Sequence, residues 1–243
     1  MNFGFSEEQE ELRSSVRRFL DDKSPSAEVR RLMETTEGYD EGVWKQMAQE
    51  LGLQSLHIPE AYGGAGFSWV ELTVVLEEMG RSLLCAPFYS SVCLAANAVL
   101  NAGDEANKKS ILPGIASGET IAALAFTEDN GRWDADGITL EAKGGKLTGT
   151  KMFVLDGHIA TSIIVVARDP GTKGADGIGF YLVDGMADGL TRTPLSTMDM
   201  TRKQAKLEFA NTPATKIGPG GWDAMSKTLD QAADQDERRI VSQ

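Results

Sequence analysis

Ile115-Ala116-Ser117-Gly118-Glu119-Thr120-Ile121-Ala122-Ala123-Leu124-Ala125-Phe126-Thr127-Glu128 is the stretch at which the chain changes character. Up to Ser117 apolar residues recur every three or four positions, as on one face of a helix. After Gly118 they come in short runs bounded by turn residues, as in strands. The predicted fold class is therefore α+β and multi-domain. An all-α helical domain spans residues 1–118, a small β-barrel or sandwich-like domain spans 119–221, and a restarting helix with a polar tail spans 222–243.

Upstream of the switch, Ser6 with Gln9 forms a capping-box pattern ahead of the stripe Leu12, Val16, Phe19 and Leu20. Asp40 can cap a segment carrying Trp44, Met47 and Leu51 on one face, and Gly52 stands where a helix stop is expected. Ser68 with Glu71 repeats the capping box before Leu72, Val75, Leu76 and Met79, and Gly80 closes that segment. Two further helices are predicted between Pro87 and Ser117, the later one started by Asp104 and stopped near Gly118.

Downstream, β-type runs are predicted at 120–127, 138–142, 146–155, 161–167, 178–183 and 204–209. Gly144-Gly145 reads as a hairpin turn and Asp169-Pro170-Gly171 as a loop. Strands do not alternate with helices, so a doubly wound parallel sheet is disfavoured and a nucleotide cofactor would have to be held in some other way. From Trp222 a helix restarts with Met225, Leu229 and Ala232 on one face. Residues 234–243 lose that stripe and read as a charged, frayed tail.

Composition narrows the function. With 243 residues, 41% hydrophobic and 25% charged, the chain can bury real cores. Its longest apolar runs, such as Ile163-Ile164-Val165-Val166-Ala167, fall far short of the roughly 20 residues that span a bilayer. The N-terminus lacks a secretory pattern, so a cytoplasmic location and no membrane association are expected. A net charge of −12 repels polyanions, so no nucleic-acid partner is expected. The cluster Arg192, Arg202, Lys203 and Lys206 is diluted by Asp199 and Glu208 and reads as solvated surface.

Cys85 and Cys93, if helical, would be separated by about 12 Å of rise, beyond disulfide reach. They lack metal-ligand spacing, and no metal is expected. His57 and His158 have no Ser/His/Asp or metal constellation around them and read as loop or turn residues.

Pro59-Glu60-Ala61-Tyr62-Gly63-Gly64-Ala65-Gly66 follows no strand and precedes no P-loop lysine, so it reads as a turn and not a phosphate cradle. It resembles the Pro-Glu-x-Tyr-Gly-Gly turn of acyl-CoA dehydrogenases. Three more segments resemble that family in the same order. They are Ala125-Phe126-Thr127-Glu128, then Gly149-Thr150-Lys151-Met152-Phe153-Val154-Leu155-Asp156-Gly157, then Met198-Asp199-Met200-Thr201-Arg202 leading to Leu207-Glu208-Phe209 and Pro213. Together they cover nearly the whole chain.

The resemblance implies a flavoprotein whose family reaction is FAD-dependent α,β-dehydrogenation of an acyl-CoA thioester to a 2-enoyl-CoA. It implies a flavin site at Phe126, Thr127, Phe153, Val154 and Leu155, with Thr127 as donor and Phe153 covering the ring. On their own, Phe126 and Val154 read as β-domain core. For the substrate it implies Phe88 and Tyr89, on the helix running near Leu84 to Ala96, and Asp230 facing CoA. Helix packing for the first two and a lone surface carboxylate for the third are the competing readings.

The family carries its catalytic base, part of the flavin grip and much of its oligomer contact in a C-terminal helical bundle. Here that bundle is expected to be absent apart from its first helix, with the base lying beyond Gln243. The 243-residue chain is accordingly expected to be inactive alone and to hold FAD weakly or not at all. Expected partners are an acyl-CoA substrate, a homo- or hetero-oligomer and, for a full-length relative, electron-transfer flavoprotein. Leu155 replaces a hydroxyl that holds the flavin edge, and Asp129-Asn130-Gly131-Arg132-Trp133-Asp134 replaces a serine-bearing stretch. These departures resemble a divergent actinobacterial-type branch, some of whose members pair unlike subunits in steroid or unusual acyl degradation. A non-catalytic partner module, or a related acyl-CoA oxidase or flavin monooxygenase, shares the same resemblance.

Overall fold

The computed structural model describes residues 5–241, with side chains as far as residue 233. Helix α1 (Glu7–Lys23) opens on the predicted capping box, the Ser6 hydroxyl accepting from Gln9 N–H while Gln9 Oε1 accepts from Ser6 N–H at 2.9 Å. Helix α3 (Glu41–Gln49) is capped by Asp40, and α4 (Trp69–Arg81) by the Ser68–Glu71 box. Their apolar stripes meet in one core of Val16, Leu20, Trp44, Met47, Leu72, Val75, Leu76 and Met79. Helix α2 (Ser26–Met33), absent from the sequence reading, offers Val29, Leu32 and the half-buried Met33 to a small satellite cluster with Cys85, too short a stripe to register as periodic.

The turn after Pro59 is a 3-10 segment, Glu60–Tyr62, ending on Gly63 at φ +82°. Gly64 follows so close to Ile58 that a Cβ there would lie 1.7 Å from the Ile58 carbonyl oxygen, a position open to glycine alone. The next helix begins just after Pro87, as its periodicity predicts, and later than the start near Leu84 that the resemblance implies. Leu83 takes φ +49° and Pro87 follows, so helical backbone is regular only over a π-helix, Tyr89–Ala96, that runs directly into α5 (Asn97–Ala102). Helix α6 (Glu105–Ala116) starts on Asp104 as predicted. It stops at Ser117, with Gly118 at φ +74° and its carbonyl accepting from Trp44 Nε1 at 2.8 Å.

Two four-stranded sheets follow. The first has the order β1 (Ala122–Ala125), β4 (Ser162–Arg168), β5 (Ile178–Asp184), β8 (Thr215–Ile217). Its β1–β4 pair is parallel and the others antiparallel. The second has the order β2 (Ala142–Lys143), β3 (Lys146–Leu155), β7 (Gln204–Pro213), β6 (Leu190–Leu195), all antiparallel. Gly144 and Gly145, at φ +59° and +71°, make the predicted β2–β3 turn, as a two-residue hairpin of right-twisted strands requires.

The unbroken apolar run of β4 has a direct cause: the first sheet is buried on both faces. Ala123, Ala125, Ile163, Val165 and Val183 point into the sandwich against Leu147, Val154, Ala205, Leu207 and Phe209. Their alternating neighbours Leu124, Phe126, Ile164, Val166 and Phe180 point the other way, against Leu94, Ala95, Val99, Leu112 and Met225. Each fully buried Val, Leu, Ile, Phe or Met among them contributes roughly 1.5–3 kcal/mol. The α+β architecture is as read, the β part being a sandwich.

Three details differ from the sequence reading. The run 138–142 forms a strand only at its end, because the Glu128 carboxylate takes the N–H groups of Thr139 and Leu140. Strand β6, with Pro194 and alternating polar residues, is an edge strand the apolar pattern does not show. Strand β8 is only three residues long. Helix α7 (Trp222–Val241) lays Met225 and Ala232 on the core, and the side chains of the expected polar tail at 234–243 lie outside those described.

Among the described residues no helix is long and apolar enough to cross a membrane. The basic cluster is engaged internally. Arg192 donates to Ala160 O at 2.9 Å, Arg202 to Leu84 O at 2.8 Å and Lys203 to Met33 O at 2.6 Å, while Lys206 pairs with Glu208 at 2.9 Å.

Candidate functional site

Where β1 ends, the chain leaves the first sheet through Phe126 and Thr127, opposite a break in β3. Lys151 pairs with Leu207 but Val154 pairs with Ala205, so Met152 and Phe153 form a bulge in the β3–β7 ladder. Phe153 sits there at φ +56°, a left-handed conformation that bulky residues rarely adopt. The bulge turns its ring out of the sandwich, 50% exposed, and returns Val154 to the core at 2%.

Phe153 thereby reaches a cleft of about 420 Å³ between the sheet, the π-helix and α7, a size within the roughly 300–1,000 Å³ of small-molecule sites. Its walls are Leu124, Phe126 and Thr127 from the β1 end, Leu155 and Gln204 from β3 and β7, Tyr89 and Leu94 from the π-helix, and Leu229, Ala232 and Ala233 from α7. Trp133 closes one side, edge-on to Phe126 with ring centroids 5.2 Å apart. Tyr89 spans the gap between helices, its hydroxyl donating to Ala232 O at 2.8 Å. A π-helical turn at such a place fits the tendency of these irregular turns to occur at functional sites.

The cleft is mostly apolar. Among the described residues, the Thr127 hydroxyl makes no hydrogen bond. No described lining residue is a carboxylate. A more open recess of about 500 Å³ shares Tyr89, Leu155 and Gln204 with the cleft and adds Ser196, Thr197, Asp199 and Arg202, giving the apolar chamber a polar mouth.

Behind this wall lies a buried ion pair. Lys151, fully buried, donates to Glu128 Oε1 at 2.7 Å and to Phe126 O at 3.1 Å. Glu128 also accepts from Thr139 N–H and Leu140 N–H at 3.0 Å and from the Thr139 hydroxyl. Burial pulls the Lys151 pKa down to about 8, against the attraction of Glu128. Burial works against the Glu128 anion too, yet Lys151 and the hydrogen bonds prevail and hold its pKa below the ordinary value. Just past the end of β3, Asp156 accepts from Ser90 Oγ at 2.6 Å, joining this turn to the π-helix, and burial raises its pKa to about 6 against the pull of Ser90 and Arg202.

Of the residues singled out from the sequence, Phe126, Thr127, Phe153, Leu155 and Tyr89 come together on the cleft. Phe88 is buried in the helical core, Val154 faces the sandwich, and Asp230 is exposed outside the lining. The structure adds Leu94, Leu124, Trp133, Gln204, Leu229, Ala232 and Ala233. Trp133 lies in the stretch read only as a departure from the family pattern, while Leu229 and Ala232 sit on the α7 stripe that read as core.

His57 donates from Nε2 to Asn97 Oδ1 at 2.9 Å, since Asn97 Nδ2 is committed to Cys93 O; burial lowers its pKa to about 4. His158 bonds Thr36 O at 2.8 Å. Neither lines the cleft. Both cysteines are buried without a disulfide, and no described cluster of His, Cys, Asp and Glu could hold a metal.

Residues 6–119 match the family of the acyl-CoA dehydrogenase N-terminal domain. An acyl-CoA dehydrogenase of Bacillus subtilis is 32% identical over 219 residues, which is 87% of this chain and 55% of the relative. The solved Tcur3481-Tcur3483 steroid ACAD is 30% identical, with a TM-score of 0.83 over 97% of this chain and 63% of its own. A glutaryl-CoA dehydrogenase from Mycobacterium smegmatis, solved in complex with FADH2, shares the fold with a TM-score of 0.84 at 20% identity, over 98% of this chain and 62% of its own. The chain spans about half the length of the curated relatives it matches.

Proposed function

This chain belongs to the acyl-CoA dehydrogenase family, and from that premise we propose that its cleft is the flavin- and acyl-facing half of an FAD-dependent α,β-dehydrogenation site for an acyl-CoA thioester. One observation carries the reading. A Thr127 hydroxyl with no hydrogen-bond partner among the described residues stands in an apolar cleft beside an aromatic ring that a bulge has turned outward at energetic cost. A planar, mainly apolar group with polar edge atoms fits those walls, and the isoalloxazine of FAD is such a group.

FAD, when bound, supplies the acceptor for the hydride that leaves the β-carbon. In the proposed assignment Thr127 donates to a ring edge, Phe153 and Leu155 cover a ring face, and Phe126 with Trp133 excludes water from one side. Tyr89, Leu94, Leu229 and Ala232 enclose the acyl tail, and the recess at Ser196, Thr197 and Arg202 receives the polar carrier. Asp230, outside the cleft, would touch CoA only at the surface. Removal of the α-proton needs a positioned base. Since no described lining residue is a carboxylate, that base is proposed to come from outside the described cleft, and flavin binding without turnover by this chain alone is part of the proposal. The division into residues 1–118, 119–221 and 222–243, an oligomeric assembly, and electron-transfer flavoprotein as acceptor belong to the same proposal. A steroid or other bulky acyl group is the substrate class suggested by the steroid relative.

The test is to titrate the purified chain with FAD, following flavin absorbance and fluorescence, and to assay acyl-CoA-dependent dye reduction. Weak but saturable flavin binding without turnover is expected. Failure to bind flavin at any concentration would remove the cofactor assignment, and turnover at ordinary dehydrogenase rates would remove the claim about the base.

A further inference from the structure

We propose that Lys151 is a positioning residue for the cofactor wall: buried out of reach of any ligand, it sets the Thr127 hydroxyl and the Phe153 ring by holding the backbone on which both stand. The inference rests on the flavin reading of the cleft and adds a residue that touches neither cofactor nor substrate.

The geometry supports it atom by atom. Lys151 is the last residue of β3 in register before the bulge. Its ammonium donates to Phe126 O at 3.1 Å and Glu128 Oε1 at 2.7 Å, the residues on either side of Thr127. Between them Met152 N–H donates to Thr127 O at 2.9 Å. Three consecutive residues leaving β1 are thus each tied to Lys151 or its neighbour, and Phe153 follows immediately. Glu128 carries the constraint onward by accepting from Thr139 and Leu140, while Asn130 Nδ2 donates to Gly137 O at 2.9 Å. That closes the loop whose Trp133 stands against Phe126.

An ion pair serving stability alone would need only the carboxylate. The second bond, to the Phe126 carbonyl, fixes a peptide orientation that an apolar side chain of equal volume could not fix. Thr127 and Phe153 must be placed to within a fraction of an ångström for hydrogen bonding and stacking, and such placement is the work of groups behind the wall.

The test separates placement from stability. Lys151→Met strands a buried carboxylate and can fail to fold, so Lys151→Met/Glu128→Gln, which removes both charges of the pair, is measured beside it and the unaltered chain. Melting temperature, Kd for FAD, the vibronic shape of the bound-flavin absorbance band and hydrogen exchange at the Met152 amide are recorded. In the double variant most of the melting temperature is expected to return, while Kd stays raised at least tenfold, the band shape differs and the Met152 amide exchanges at least tenfold faster. A double variant that recovers both stability and the unaltered Kd and band shape would overturn the inference. If the unaltered chain takes up no FAD, the cofactor assignment fails; Met152 exchange then decides whether Lys151 still holds the wall, and unchanged exchange in the double variant overturns that as well.

Discussion

The helical and β regions each bury a carboxylate at about the same depth, Glu78 on α4 at 1% exposure and Glu128 after β1 at 6%, but surround it differently. Glu78 meets Arg17 at 2.6 Å, Arg81 at 2.8 Å and Arg13 at 3.4 Å, guanidinium groups that keep contact with solvent and join α1 to α4. Glu128 meets one fully buried ammonium and the backbone of a loop. The first arrangement fastens two regular elements that would form anyway. The second replaces regular structure, taking the N–H groups that a strand at 138–142 would have used, and it lies directly behind the cleft. A buried charge in a helical layer can therefore serve cohesion, whereas beside a site it serves shape.

The sharpest way to break this comparison is to remove one partner on each side. Lys151→Met should cost about 3–5 kcal/mol in urea unfolding, because it leaves Glu128 buried and unpaired. Glu78→Gln should cost less, about 2 kcal/mol, since its arginines can turn to water. It should also leave FAD binding unchanged. The acid limb adds a signature. Burial alone would raise the Glu78 pKa, but Arg17 and Arg81 hold it at about 2 against an ordinary 4.5. The stabilisation is thus present above pH 4.5 and lost as pH falls toward 2. Urea midpoints of the unaltered chain should decline across that window, and those of Glu78→Gln should decline less.

Asp156 sharpens the contrast with the opposite sign. Its pKa, raised to about 6 from an ordinary 3.8, makes its ionised form a liability that is absent below pH 3.8 and fully developed above 6. The residue keeps some accessible surface, so Asp156→Asn should gain only about 1 kcal/mol at pH 8 and nothing below pH 4, measured by thermal melts at the two pH values. The smallest stability effect is expected at Phe153→Gly. Relief of the left-handed backbone offsets the freedom glycine adds to the unfolded chain, leaving a change within about 0.5 kcal/mol. FAD affinity should nonetheless fall about tenfold, or about 1.4 kcal/mol, by fluorescence titration.

The two regions also differ in how much of them is legible in the sequence. Helix starts are local chemistry, and the caps at Ser6, Asp40, Ser68 and Asp104 all stand where the spacing of their partners places them. Strand β3 and the Gly144-Gly145 turn are local in the same sense. The candidate site is not. Thr127 and Phe153 are brought together by packing between the two sheets and the bond from Met152 N–H to Thr127 O, and the Tyr89–Ala232 bond joins residues 143 apart. It is family resemblance, not local pattern, that points to those positions. Trp133 and Gln204 follow no periodicity, because their places depend on a loop and a bulge governed by long-range bonds. Phe88 and Val154 show the cost of adjacency: each neighbours a cleft residue in sequence and points to the opposite side.

The order of the first sheet bears on how the protein is made. Its strands come from residues 122–125, 162–168, 178–184 and 215–217, and its parallel pair joins segments forty residues apart. Only β4 and β5 can meet as a hairpin; the sheet is complete once the chain has been synthesised past Ile217. Until then the face that the helices from Tyr89 to Ala116 turn toward this sheet is only partly covered. The helical layer around α1, α3 and α4 can condense early during translation, while the half that contains the cleft must wait for non-local pairing, the slower kind of folding step.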